Sequence, residues 1–315
     1  MDKQKFLEDP NVTGFVSWVA RILPELTVYL DISSAGTGRA NGQRGPGVSG
    51  TFKGLSEIVN AYHWRASWQD NQGKEVFSGD WETTRDSLFL LSQWIRYEVD
   101  QGSQEGSLAA AKAIVKWGGD RGHARKPPVG AIPFLESLPD LQGYLRTARD
   151  VLSLEKANTD DLKYILEMNA MLTKVHALLA EDGLPIYDSR VAAAAGALVE
   201  RYRRSIGLSW IRIPEVLRFR ATDRVNRRRV VGLREFDHLT LDPGVFDRQN
   251  RAVCASDWSS AKVRLGWLLG AILGEAERIG CPLIEPGTTA DESLPAQMHA
   301  FEAGLFMIGF DVRCL

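Results

Sequence analysis

The chain has 315 residues, 44% of them hydrophobic and 25% charged, with a formal net charge of −2. That is enough to bury a full core, as one large domain or two smaller ones. The near-neutral balance excludes a whole-molecule field that advertises nucleic acid or membrane, while leaving room for a local one.

Helical patterns dominate in chain order. Residues 13–31 carry apolar groups at helical spacing, with Pro24 set to kink or split the element. The glycine-rich stretch 33–54 (SSAGTGRANGQRGPGVSGTFKG) reads as a mobile loop. As a phosphate cradle it lacks the GK[ST] ending that would place a lysine and a hydroxyl. Residues 55–78 suggest a helix and a short hairpin across DNQGK. DWETTRDSLFLLSQWIRYEVD, from residue 80, is an amphipathic helix with acidic and Thr residues at its positive N-terminus. SLAAAKAIVKWGG (107–119) is another, stopped by Gly118 and Gly119. The basic, proline-marked RGHARKPPVG is the expected boundary. Helices are then predicted at 133–152, 159–181 and 188–206, followed by an irregular arginine-rich stretch, 207–256. A long helix over 257–280 is expected to be capped by Asp257, and a last helix runs near 288–307. With no period-2 strand series and no βαβ alternation, the expected fold class is all-α. It divides into an N-terminal helical region (1–125) packing with the C-terminal helices, a core (126–210) and an arginine-rich C-terminal segment (211–315).

Cys254, Cys281 and Cys314 are odd in number and have no CxxC spacing, which fits a reducing cytoplasm rather than a disulfide framework or zinc site. MDKQKFLEDPN does not read as a signal peptide, and no apolar run approaches the roughly 20 residues that span a bilayer. A cytoplasmic monomer without cofactor or metal is expected. There is no HExxH, GxSxG or Walker motif, and the five histidines are scattered.

The informative block is 160–196, DDLKYILEMNAMLTKVHALLAEDGLPIYDSRVAAAAG. Two apolar faces flank a break at Asn169–Ala170, a pattern for two short helices in a hairpin with Lys174 early on the second. After the turn EDGLP, Asp188 caps the next helix. Lys174 and Asp188 are fourteen residues apart with a chain reversal between them, so both can face one cleft.

LPIYDSRV, LTKVHALL and, upstream, IVKWGG together resemble the helix–hairpin–helix DNA glycosylases, in particular the bacterial 8-oxoguanine-glycosylase-like branch. The resemblance spans roughly residues 107–206. Where that superfamily carries hairpin glycines, this chain has Ala170 and Leu172. The resemblance implies a two-lobed helical fold with extra N- and C-terminal segments. It also implies excision of a modified base from duplex DNA. Asp188 would be the essential carboxylate and Lys174 the nucleophile. Trp117 and Tyr187 would line the base pocket. Repair is one setting; defence against phage DNA carrying hypermodified bases, such as glucosylated hydroxymethylcytosine, is another.

The chemistry suits these residue types. N-glycosidic cleavage develops positive charge on the sugar, which a carboxylate stabilises. A lysine that loses its proton on burial can attack C1′ and form a Schiff base. Between Arg201 and Glu235 lie eleven arginines against three acidic residues, a local charge of +8. Such a band suits phosphate-backbone binding, although internal ion pairing is the alternative. Arg190, Arg224, Arg227, Arg228 and Arg229 are the expected DNA contacts. A non-catalytic nucleic-acid-binding module with the same hairpin and arginine band remains a second reading, and a protein-interaction subunit a third.

Overall fold

A computed structural model describes residues 1–119, 130–221, 241, 243–289 and 291–315. Helix α1 (Lys3–Leu7) is capped by Asp2, and α2 (Pro10–Ile22) by Asp9 with Pro10 in its first turn. The expected helix over 13–31 is in fact split at Pro24. A 3-10 turn over Leu23–Glu25 ends it, and the chain continues as strand β1 (Thr27–Ile32). The segment TVYLDI alternates exposed and buried side chains, which is the period of a strand with one face on the core.

The glycine-rich stretch is likewise structured. It holds β2 (Arg39–Ala40), β3 (Gln43–Arg44) and β4 (Val48–Lys53). β2 and β3 form a tight hairpin through Asn41 and Gly42, at φ 47° and 76°, the left-handed pair that a type I′ turn requires. β4 pairs antiparallel with β1, from Thr27↔Lys53 to Ile32↔Val48. After α3 (Gly54–Asn60), β5 (Ala66–Gln69) and β6 (Glu75–Ser78) form a third antiparallel pair across the DNQGK turn. The all-α expectation is therefore corrected: the protein is about 55% helix and 10% strand, a helix-rich fold with small two-stranded sheets. The strands are short hairpins, so their two-residue period is lost in a long helical pattern.

The remaining helices are α4 (Trp81–Asp100), closed by an Asp80–Thr83 capping box, α5 (Gln104–Trp117), α6 (Ala131–Glu136) and α7 (Leu141–Leu152). Then come α8 (Leu172–Leu179), α9 (Ser189–Ser205), α10 (Arg251–Arg278) and α11 (Leu294–Ile308). Two boundaries differ in an instructive way. The first helix of the expected hairpin does not form, and only a 3-10 turn, Leu162–Tyr164, appears before α8. Tertiary bonds hold that stretch instead: Thr159 N–H donates to the Met1 carbonyl at 2.9 Å, the Met1 ammonium donates to Asp160 Oδ2 at 2.6 Å, and Arg251 pairs with Glu167. Asn169 accepts from the Met171 and Leu172 amides and starts α8. The long helix α10 begins at Arg251, capped by Asn250, so Asp257 lies inside it rather than at its start.

Buried side chains from all parts of the chain form one continuous core. α10 packs on α1, α2 and α11, and α9 on α2 and α11. The alanines Ala192–Ala195 and Ala197 are buried, and a Cβ on Gly309 would collide with the Arg190 carbonyl, so small residues let the end of α11 close on the start of α9. No described helix is long and apolar enough to cross a membrane.

All eight residues of α8 are buried, and His176 has no hydrogen-bond partner on either ring nitrogen among the described residues. Burial, aided by the Lys262 charge, pushes its pKa from 6.5 down to about 3. The unfolded chain therefore takes up a proton below pH 6.5 that the folded chain refuses, so stability falls as pH drops through the 6.5 to 3 window. Replacing His176 with Leu is expected to flatten that acid limb in urea unfolding followed by circular dichroism.

Candidate active site

The segment IVKWGG closes α5, and its last three residues do three different things. Trp117 is buried against a cavity of about 200 Å³. Gly118 lies under Lys174: a Cβ there would stand 2.6 Å from the lysine Cδ. Gly119 takes φ +89°, a left-handed stop that sets the chain against Trp64.

The cavity draws its walls from distant parts of the chain. The end of α5 supplies Trp117 and its C-cap Gly118, α8 supplies Lys174, the segment leading into α9 supplies Ile186 and Asp188, and the first turn of α9 supplies Arg190. Tyr62 and Trp64 come from the loop after α3, Trp81 and Thr84 from α4, and His299, Glu302 and Phe306 from α11. Of the residues expected in the site, Lys174, Asp188, Trp117 and Arg190 thus meet around one space.

Lys174 is only 7% exposed, and its Nζ donates to the Ala170 carbonyl at 2.8 Å. Burial pulls its pKa below the usual lysine value; Asp188 and Glu302 pull the other way, and Arg190 reinforces the depression. The amine form is thereby easier to reach than in water.

Asp188 caps α9. Its Oδ1 accepts from the Arg190 and Val191 amides, at 2.8 and 3.1 Å. Its Oδ2 has no hydrogen-bond partner among the described residues, and the carboxylate lines the cavity. Capping and facing a ligand are thus divided between two oxygens of one group.

Tyr187, expected in the base pocket, does not line this cavity. The approach segment is extended, so successive side chains point to opposite faces. Ile186 and Asp188 face the cavity, whereas Tyr187 packs beside Phe219 and Phe246 and donates its hydroxyl to the Arg220 carbonyl at 2.9 Å.

Glu302 is a second carboxylate that the sequence reading missed. It is 7% exposed, lines the cavity, and its Oε2 accepts from the Ile186 amide at 2.7 Å, with His299 Nδ1 at 3.5 Å. Behind the site, Lys262 of α10 is fully buried. Its Nζ donates to the Thr173 carbonyl at 2.9 Å, to Thr173 Oγ1 at 3.3 Å and to the Pro185 carbonyl at 2.5 Å. Burial lowers its pKa to about 7. Both residues leave a trace in the sequence, as charged groups in largely apolar helical runs: Glu302 alone in AFEAGLF, and Lys262 beside Arg264 in SAKVRLGWLL.

The guanidinium of Arg190 sits in an aromatic box, 4.1 Å from the Phe310 ring centroid, 4.8 Å from Phe306 and 5.5 Å from Trp64. Four of the six described arginines of the band are internally paired. Arg203 and Arg204 both bind the buried Glu200, and Arg218 and Arg220 bind Glu215. Arg224, Arg227, Arg228 and Arg229 lie outside the described residues. Among the described residues, no group of three His, Cys, Asp or Glu side chains is placed to hold a metal ion. No family model, curated protein or solved structure matches the chain.

The charge balance of the cavity is measurable. In protein carrying ¹³C at the lysine ε-carbons, Lys174 is expected to titrate below 10.5. Asp188→Asn and Glu302→Gln should each lower it further, because each removes a charge that favours the ammonium, whereas Arg190→Gln should raise it.

Proposed function

We propose that the protein is a DNA glycosylase that excises a modified base by cleaving its N-glycosidic bond. The supporting observation is that a buried lysine, a helix-capping carboxylate and a tryptophan from three separate elements share one base-sized cavity. An apolar cavity of about 150 Å³ holds benzene, so the volume here suits the ring of a single extruded base. Enzymes that act on a base must flip it from the stack and hold it by stacking and hydrogen bonds. Trp117, Trp64 and Phe306 offer ring faces, while Thr84 and His299 offer polar atoms. The lysine–aspartate pair is the one the helix–hairpin–helix glycosylases use. The same reading makes the partner a DNA duplex, the working form a monomer and the compartment the cytoplasm.

In this mechanism the Lys174 amine attacks C1′ of the flipped nucleotide. The C1′–N bond breaks and its electron pair leaves with the base, which takes up a proton as the lysine nitrogen gives one up. Asp188, ionised at the positive end of α9, stabilises the cationic sugar during that exchange. Ring opening then yields an imine, and water hydrolyses it to restore the amine.

Base release is read by heating treated duplexes with alkali, using 8-oxoguanine, glucosylated hydroxymethylcytosine and unmodified substrates. Asp188→Asn keeps a competent cap but removes the charge, and is expected to slow release by about 10²- to 10³-fold. Borohydride should trap wild type, but not Lys174→Ala, on DNA. Gly118→Ala should weaken trapping by displacing the lysine stem. The rate should rise with pH as the amine fraction of Lys174 grows. Wild-type release by Asp188→Asn overturns the assignment, and DNA binding without release of any base favours a non-catalytic module.

A further inference from the structure

A second concavity, of about 510 Å³, adjoins the active-site cavity and shares Trp64 and Trp117 with it. Its walls come from the β2–β3 hairpin, the start of β5 and the outer face of α5. Four cations line it: Arg39, Arg65, Lys112 and Lys116. None of its described lining residues is a carboxylate. In a chain of net charge −2, this is a local departure from the average.

The pairing of those cations matters as much as their number. Arg39 Nε donates to the Gly42 carbonyl at 2.8 Å, and Arg65 donates to the Gln43 side-chain oxygen at 3.0 Å and the Arg44 carbonyl at 3.4 Å. Those acceptors are neutral, so they orient the guanidinium groups without cancelling their charge. Lys112 reaches Glu136 at 2.6 Å, an exposed pair of the kind that contributes little and exchanges readily. Lys116 is exposed and has no side-chain partner among the described residues. The described arginines of the 201–220 band differ, since four of them are spent on Glu200 and Glu215.

The cleft is built rather than incidental. Arg65 N–H donates to the Thr37 carbonyl at 2.7 Å, and Gly38 bridges to Arg65 at φ +80°, where a Cβ would collide with the Arg65 carbonyl. Only glycine permits that approach, so the hairpin is docked against the wall that carries Trp64. Trp64 Nε1 in turn donates to the Trp117 carbonyl at 3.3 Å, joining the partition between cleft and cavity.

We propose that this cleft binds the phosphodiester backbone of the DNA strand flanking the flipped nucleotide. The proposal rests on the glycosylase reading for its ligand, and it assigns the glycine-rich stretch a role: to present Arg39 and hold Arg65. Phosphates in the cleft would sit across the Trp64–Trp117 partition from the cavity that takes the base. Neutralising each phosphate contact releases counterions, so every cation engaged adds to the salt dependence of binding.

The test uses the full chain and a fluorescein-labelled short DNA duplex, with anisotropy measured over a range of salt. Arg39→Gln/Lys116→Gln is expected to weaken binding at low salt on the order of tenfold and to reduce the slope of log K against log salt by about 2. Lys5→Gln, an exposed lysine outside the cleft, should leave the slope unchanged. Lys112→Gln/Lys116→Gln, with circular dichroism to confirm folding, repeats the measurement on α5 alone. Wild-type binding and slope in both folded double variants overturn the cleft assignment and leave the glycosylase reading standing. Failure of wild type to bind or cleave any duplex overturns both.

Discussion

One buried ammonium group sets the geometry on which the rest depends. Lys262 reaches across from α10 and donates to oxygens on Thr173 and Pro185. Thr173 is the residue before Lys174, and Pro185 lies three residues before Asp188. Thr173 Oγ1 also accepts from the Tyr187 amide at 3.0 Å, and Trp258, on the same helix as Lys262, donates to the Tyr187 carbonyl at 2.9 Å. The helix bearing the lysine and the segment bearing the aspartate are therefore tied to a common post. Taking an ammonium out of water is costly, which is why its pKa falls to about 7. Three well-placed acceptors are what make its position tolerable.

This arrangement relieves the site of dependence on a regular hairpin. The first hairpin helix is missing, yet Lys174 and Asp188 still face one cavity, because side-chain bonds from α10 hold the two segments. Glu302 adds a tie from another direction: it accepts from the Ile186 amide while facing the same space. α11 thereby becomes part of the site rather than an appended element. The buried alanines of α9 fit the same logic, since α11 can close over the cavity only where the side chains beneath it are small.

Electrostatically, the cavity and the neighbouring cleft divide the labour. Within the cavity, two carboxylates face a desolvated lysine and an arginine boxed by aromatic rings. In the cleft, four cations have almost no acidic company. Two tryptophans, Trp64 and Trp117, mark the border between cavity and cleft. The arginine band, the loudest charge signal in the chain, is in its described part largely consumed by internal pairs.

The sequence by itself determined most of the long helices, because their apolar spacing, acidic starts and glycine stops are local signals: the acidic opening of α4 from residue 80, Gly118–Gly119 at the end of α5. It also placed Lys174 and Asp188 on opposite sides of a chain reversal. The strand in TVYLDI and the hairpin at Asn41–Gly42 are not read from the sequence, whose pattern is helical through residue 31 and that of a mobile loop over 33–54, because each signal is short and sits amid stronger helical or glycine-rich patterns. Only the tertiary structure decided the rest. It replaced a helix over the 159–171 stretch with ties to Met1 and Arg251, turned Tyr187 away through the two-residue alternation of an extended segment, and brought Glu302 and Lys262 to the site. Those last two lie 116 and 89 residues from their bonded partners. No local pattern encodes such a distance; the packing of α10 and α11 across the core supplies it.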